Sequence, residues 1–481
     1  MGKSLKSNFI LNFLNTVSVV LFPMLTFPYA SRILLADGMG LVNFQKSIVD
    51  YVGMFVCLGI PTYAVREIAR VRDNYKERGK TTVEILLLNM ILMVLGYVAI
   101  VLLVLNLKTI QGDIQLFTIL SLSIILMTIG CEWFYKGVED FKYITLRGLI
   151  VKVISIFFLF FFVKTKDDIL WYAVYNVFGV MGGNIFNIVR LKKYIRFSEI
   201  DFSKLNIIKH LKPSINSFVL TLFFAIYITL NTMMLGFLSN NESVGYFTAS
   251  TKITQIALAV VNSLGVVLLP RLSNLINLGK KEEFQQIAQK AFNFIIALSL
   301  PIVISCMILS STIIAIFCGP NYAPAIDSLT LISPIILIIG LSSFLGIQIL
   351  YPQGKDSIIV VSTIIGVIIN IFLNLILIPQ FGSDGACISA NLGQLMTLAM
   401  LFVLGRKYIF LKWSKAYLNY LLASILMMGS MYWLTNLQVH PLLKVGFSIA
   451  IGGFSYFTVL FLTKDEFIFG ILGTLKRKEK L

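Results

Sequence analysis

Charge is scarce in this sequence. Of 481 residues only 13% are Asp, Glu, Lys or Arg, about half the share found in ordinary soluble domains. Histidine is scarcer still: His210 and His440 are the two in the chain, and neither has a second histidine or an acid at ligand spacing, so both read as ordinary loop residues with no metal centre around them. The five cysteines (Cys57, Cys131, Cys306, Cys318 and Cys387) show no CxxC spacing, which argues against a metal cluster or a disulfide framework and leaves them as apolar packing residues. A GxxxxGK[ST] phosphate loop is missing, since PQGKDS at 352–357 lacks the first glycine and the hydroxyl after its lysine. Long polar stretches are missing too. The longest segment between apolar runs, 190–212, has 23 residues, short of the roughly 50 a folded domain needs. No ATPase or other soluble domain is therefore expected, nor any cofactor, and the function must reside within the apolar part or at its surfaces.

That apolar part dominates. Hydrophobic residues make up 57% of the chain and the mean hydropathy is +0.87. The runs have helical length rather than the ten-residue alternation of an outer-membrane barrel, which predicts an all-α polytopic integral membrane protein. The first run carries Pro23, Pro28 and Arg32 where a signal peptide would need a small-residue cleavage site, so it reads as a retained helix. Spans of about 20 residues fit fourteen times, near 8–31, 41–64, 84–106, 114–134, 148–163, 169–189, 214–238, 246–270, 288–316, 327–350, 357–378, 386–405, 417–434 and 442–463.

With the N-terminus inside, 32 of the 40 Lys and Arg fall on the cytoplasmic side, five outside, and Lys46, Lys152 and Lys252 within spans. This asymmetry predicts that both termini and the connectors 65–80 and 190–212 are cytoplasmic. The tail LKRKEKL then meets anionic lipid headgroups. The net charge of +17 needs no nucleic acid to explain it, because the basic loops are short and lie against a membrane.

Ionisable residues inside spans cost about 2.5–3.5 kcal/mol at a helix centre on insertion scales, and so mark candidate sites. In GLVNFQKSIVDYVGMFVCLGIP, Lys46 and Asp50 stand four apart on one helical face. They are expected either to neutralise each other, with Lys46 only about 8 Å inside the external end and able to snorkel outward, or to face a hydrated cavity. Lys252 has no acid in its own span, which favours a cavity role. Arg32 ends the first span as an interfacial anchor or a cap on the cavity mouth. Lys152 and Glu132 sit near cytoplasmic span ends, where pairing or snorkelling is the ordinary expectation. Asn8, Asn12 and Asn15 make a polar stripe on the first span, suited to helix contacts or to a sugar path. The run FFLFFF at 157–162 reads as lipid-facing.

The 190–212 segment leaves six spans before it and eight after it, with a faint echo between the parts. RILLADGMGLVNFQKS and LGFLSNNESVGYFTASTK each give a short polar turn, a glycine (Gly40, Gly245) and a lysine six or seven residues on.

Four stretches in order, PYASRILLADGMGLVNFQKSIVDYVGMFVCLGIPTYAVREIAR at 28–70, EWFYKGVEDFKYITLRGLIVK at 132–152, GIQILYPQGK at 346–355 and NIFLNLILIPQFGSDGACISA at 370–390, resemble the polysaccharide transporters of the MOP superfamily. The resemblance is specifically to Wzx-type lipid-linked oligosaccharide flippases of O-antigen and capsule assembly. It implies two pseudo-symmetric six-helix lobes around a central cavity plus two C-terminal helices. The lobes would be 1–190 and 214–405, joined by a cytoplasmic linker at 191–213, with 406–481 holding the last two helices and a basic tail. It implies a multi-pass protein of the bacterial cytoplasmic (inner) membrane. The substrate would be an undecaprenyl-pyrophosphate-linked oligosaccharide, and the partners would be polymerase and chain-length proteins of the same pathway. Such a substrate needs cations, so Lys46, Lys252 and Arg32 become candidate phosphate contacts, Asn8, Asn12 and Asn15 candidate sugar contacts, and Asp50 and Glu132 candidates for ion coupling. Two alternatives stay open: a membrane-embedded polymerase or ligase of the same pathway, which would need a large outer loop, and a small-molecule antiporter of the same superfamily, which would place an acid in the first span.

Overall fold

A computed structural model describes residues 5–412, 414, 416–435, 440–463 and 465, with the side chains of 5–17, 19–20, 197, 219–228, 264 and 266–267 left aside. Every regular element among them is helical, and they fall into two compact units, Met1–Phe237 and Leu238–Leu481. Nine helices or helix runs among the described residues are long and apolar enough to cross a membrane, or ten if one bent pair counts as a span. The protein is a multi-pass helical membrane protein.

The first unit comprises α1 (Leu5–Cys57), α2 (Ile60–Val71), α3 (Tyr75–Asn106), α4 (Lys108–Gln111), α5 (Ile114–Ile129), α6 (Glu132–Gly137), α7 (Phe141–Phe162), α8 (Ile169–Met181), α9 (Asn184–Leu191) and α10 (Leu211–Leu238). Helix α1, with 53 residues, would be about 80 Å long if straight, too long for one crossing. It breaks at Leu35, where φ is 60° and ψ is −177°, a conformation nearly confined to glycine. The expected polar loop around RILLADGMG is thus a one-residue break, because Ala36 to Gly40 remain helical and Met39 is fully buried.

At its other end α1 stops at Leu58 and Gly59, both left-handed, and Pro61 sits in the first turn of α2, where its missing N–H costs nothing. Asn74 then caps α3 by accepting from the Glu77 amide at 3.2 Å. Gly59 has φ 71°, and a Cβ on it would strike the Phe218 amide nitrogen and lie 2.6 Å from the Ser214 carbonyl oxygen, both in the backbone of α10. Backbone cannot retreat as a side chain can. Gly59→Ala is therefore expected to destabilise the protein by about 2–3 kcal/mol, read as a lowered thermal midpoint in detergent. An unchanged midpoint would show that α10 does not press on this turn.

Helices α8 and α9 are bent by 41° at Gly182 and Gly183, so the expected sixth span is two pieces. The expected fifth span begins earlier, at Phe141. Phe157 and Phe161 are 70% and 69% exposed, which suits the lipid-facing reading for that face of the run, whereas Leu159 is fully buried and Phe162 stacks on Trp171.

The second unit comprises α11 (Asn241–Asn277), α12 (Lys281–Ile308), α13 (Ser310–Phe317), α14 (Ala325–Ile332), α15 (Ile335–Ser343), α16 (Asp356–Gly405), α17 (Ala416–Thr435) and α18 (Pro441–Leu462), with a π-helical turn at Phe344–Leu350. Helix α16 repeats the device of α1: 50 residues broken at Gly382, φ 55°, here with the residue type the conformation prefers. Helices α17 and α18 pair with each other and seat Tyr456 on α12, its hydroxyl donating to the Ala297 carbonyl at 2.8 Å.

Candidate functional site

A cavity of about 300 Å³ opens within the first unit, lined from α1, α5, α8 and α10. From α1 it takes Lys46, Val49, Asp50, Gly53, Met54 and Cys57, spaced three and four apart and so on one face. The remaining wall is mostly Leu, Ile, Val and Met, relieved by Ser123, Asn176 and Thr229. Gly53 leaves room: a Cβ there would stand 3.0 Å from Met127 Cε.

In this apolar wall Lys46 Nζ donates to Asp50 Oδ2 at 2.5 Å. The two side chains are 34% and 43% exposed, so the pair faces the opening rather than the packed interior. The helix that carries them runs from the Leu35 break to Cys57, about 33 Å at 1.5 Å per residue. Lys46 is eleven residues from either end, about 16 Å. The distance to the helix end is thus longer than the expected value of about 8 Å, because the helix starts at the Leu35 break rather than near residue 41. The charge is neutralised on the spot by Asp50 and exposed to the cavity.

The other candidates lie elsewhere. Arg32 is exposed just before the Leu35 break, where its Nη1 donates to the Pro28 carbonyl at 3.0 Å, and it does not line this cavity. Lys252 is half-buried on α11 of the second unit. Glu132 lies near the end of a candidate span, Ile114–Gly137, as expected, just past a break at Cys131, φ 42°, where it opens the short α6. There it accepts from Lys136 Nζ at 2.9 Å and approaches Arg147 Nη2 at 3.7 Å. Lys152 donates instead to Ser18 Oγ at 2.7 Å, so the expected pairing of Lys152 with Glu132 is replaced by separate partners. The side chains of Asn8, Asn12 and Asn15 lie outside the described residues. Cys131, Cys306, Cys318 and Cys387 are buried and Cys57 is half-buried.

Reading His210 as an ordinary loop residue is overturned. His210 is 2% exposed, with Nδ1 2.7 Å from the Tyr63 hydroxyl and Nε2 3.0 Å from Glu84 Oε2. Glu84, fully buried on α3, also accepts from the Asn206 amide at 2.8 Å and from Lys209 Nζ at 2.6 Å. The 190–212 segment is thereby tied to α2 and α3. The signal in the sequence was the acid in TTVEILLL, an ionisable residue at the start of an apolar run. Nearby, Asp140 accepts from Arg190 Nη2 at 2.9 Å and from the Tyr194 hydroxyl at 2.7 Å. The conspicuous EWFYKGVEDFKY stretch thus builds the packed base of the unit, with Trp133, Phe134 and Tyr135 buried.

Helices broken in mid-run and a charged pair in an apolar intramembrane cavity define a class, the polytopic membrane proteins shaped like substrate transporters. The fold is shared with the lipid II flippase MurJ in an inward closed conformation, at TM-score 0.77 and 15% identity over 95% of this chain and 99% of that one. An inward-facing multidrug resistance MATE family transporter of the MOP superfamily matches at TM-score 0.67 and 14% identity, over 81% and 94%. In sequence, the "Putative O-antigen transporter" of Escherichia coli (strain K12) is 24% identical over 346 residues, 69% of this chain and 79% of that protein. Its namesake in Shigella dysenteriae is 25% identical over 405 residues, 83% and 99%. Residues 5–276 match the family described as Polysaccharide biosynthesis protein, and the chain belongs to that family. These relatives are transporters rather than enzymes.

Proposed function

We propose that this protein flips undecaprenyl-pyrophosphate-linked oligosaccharide units from the cytoplasmic to the outer leaflet, by alternating access, for assembly of a surface polysaccharide. The observation that carries this reading is a lysine, paired with one acid, midway along its helix in a mostly apolar cavity. A pyrophosphate crossing hydrocarbon needs a cation there, and a small apolar cargo does not. The relatives named as O-antigen transporters support the sugar-linked substrate.

The same reading takes fourteen spans: α1 and α16 each cross twice about their breaks, α8 with α9 crosses once, and α10 and α17 complete the set. It places a six-helix lobe in 1–190, the linker at 191–213, a second six-helix lobe in 214–405 around a central cavity, and the last two helices with the basic tail in 406–481. Lys252 is its second phosphate contact. It stands eleven residues into α11, the same distance as Lys46 from the Leu35 break. Arg32 would meet phosphate at the mouth of the cavity, Asn8, Asn12 and Asn15 the sugars, and Asp50 and Glu132 are kept as candidates for ion coupling.

Complementation of a flippase-null strain tests the function. Rescue, with loss of the unflipped lipid-linked oligosaccharide that otherwise accumulates on the inner leaflet, is the expected result. Persistence of the unflipped oligosaccharide on the inner leaflet of the complemented strain would overturn the flippase reading. Orientation is tested separately by cysteine labelling, in which residues near 75 and 200 are expected to be protected from an impermeant reagent added outside. Labelling of either from outside would overturn the cytoplasmic placement of the basic connectors.

A further inference from the structure

The end of the first unit that carries the basic connectors holds a guanidinium whose hydrogen-bonding capacity is unmet. The Arg147 side chain on α7 is 10% exposed. Its Nε and Nη1 are buried and make no well-formed hydrogen bond among the described residues, and Tyr143, one turn earlier, sets its hydroxyl and ring beside the guanidinium, with Cζ 5.8 Å from the ring centroid. Glu132 reaches Arg147 at 3.7 Å, beyond hydrogen-bond length. On the other flank a Cβ at Gly183 would stand 2.9 Å from Nε, so the bend between α8 and α9 lays bare backbone against the guanidinium. Arg190 is already employed. It donates to Asp140 and lies over the Tyr143 ring, 4.1 Å from Cζ to the centroid, which fixes that ring beside Arg147.

A buried cation with unmet donors, a second cation in reach and a neighbouring hydroxyl form a set that the several lone pairs of one oxyanion would satisfy. We propose that Arg147, Lys136 and Tyr143 form a binding site for a phosphate-type oxyanion, which the carboxylate of Glu132 occupies in this structure as an internal stand-in. Glu132 and Lys136 are 37% and 45% exposed, so the anion enters from their side, displaces the carboxylate, takes Lys136 and draws the Arg147 fork into a bidentate contact. A phosphate suits the site better than a second carboxylate, because its additional oxygens reach the Tyr143 hydroxyl while the other two hold the cations. None of these residues lines the Lys46 cavity, and the inference does not rest on the transport reading.

The test is equilibrium binding to the purified full-length protein carrying Lys46→Ala, Lys252→Ala and Arg32→Ala, so that anions held at the proposed transport contacts are not counted. Radiolabelled inorganic pyrophosphate is one probe, and nanodiscs of phosphatidic acid against phosphatidylcholine are the other. Binding of pyrophosphate identifies a free or substrate-borne phosphate, and preference for phosphatidic acid alone identifies a lipid headgroup. Glu132→Gln is expected to tighten binding about tenfold, and Lys136→Met and Arg147→Lys to weaken it about tenfold each. Lys136 is half-exposed and dispensable for packing, so its variant remains informative if the Arg147 variant misfolds. Failure of both probes to bind the Glu132→Gln protein, or binding indifferent to Lys136→Met, would overturn the site.

Discussion

Lys46→Ala is expected to cut surface polysaccharide assembly by about tenfold to a hundredfold while the protein remains in the membrane at near-normal amounts. A charge-assisted contact to phosphate contributes about 1.5–3 kcal/mol, which converts to that range at about 1.4 kcal/mol per tenfold. Two effects combine in this variant. The cation is lost from the cavity, and Asp50 is left as an unpaired carboxylate in a mostly apolar wall, which disfavours the folded unit or forces protonation. Lys46→Arg keeps the charge and the pairing, and is expected to be milder. Asp50→Asn separates the roles: near-normal assembly means that Asp50 only balances Lys46, and loss of assembly means that the carboxylate itself takes part. The decisive comparison is the double variant Lys46→Ala, Asp50→Ala, in which neither charge is stranded. Under the proposed function it stays defective. Wild-type assembly by that double variant, measured by complementation with protein levels checked by immunoblot, would reduce the pair to a structural ion pair.

The Lys46–Asp50 contact was legible because the helical repeat alone puts residues four apart on one face. Its distance from the helix end was not, because Ala-Asp-Gly-Met-Gly reads as a loop by composition, whereas tertiary packing buries Met39 completely and holds those residues helical. Apolar runs reveal spans since burial in hydrocarbon is a local, additive property of the sequence. Breaks such as Leu35 and Cys131 are not local, since a non-glycine residue in a left-handed conformation is sustained only by its surroundings. The same distinction explains His210. It finds its acid 126 residues away at Glu84 and its hydroxyl 147 residues away at Tyr63. Spacing rules that search a single helix cannot see a site assembled from three segments.

That assembly predicts the largest loss of stability outside the cavity. Glu84→Ala is expected to cost about 3–5 kcal/mol, because it strands His210 Nε2 and the Asn206 amide in the interior and frees Lys209 at once. Glu84→Gln keeps an acceptor for the Asn206 amide and should cost less. Lys209→Met should cost no more than about 1 kcal/mol, since Lys209 is 43% exposed. Acid should mimic part of the damage. Burial holds the His210 pKa below its ordinary value of 6.5, with the hydrogen bond that His210 donates to Glu84 opposing only in part, so the unfolded chain binds this proton more readily than the folded one. The stabilisation from neutral His210 is therefore complete above pH 6.5 and declines as the pH falls below it, by at most about 1.4 kcal/mol per pH unit for one proton. The measurement is the thermal midpoint in detergent from pH 7.5 to 5.0, with limited proteolysis of the 190–212 segment beside it. Wild type should lose midpoint and gain cleavage below about pH 6.5. A His210→Gln variant, weaker throughout, should show a flatter dependence across that interval. Equal slopes for the two proteins, or a Glu84→Ala protein that melts with wild type, would mean that the Tyr63–His210–Glu84 chain does not hold this segment to α2 and α3.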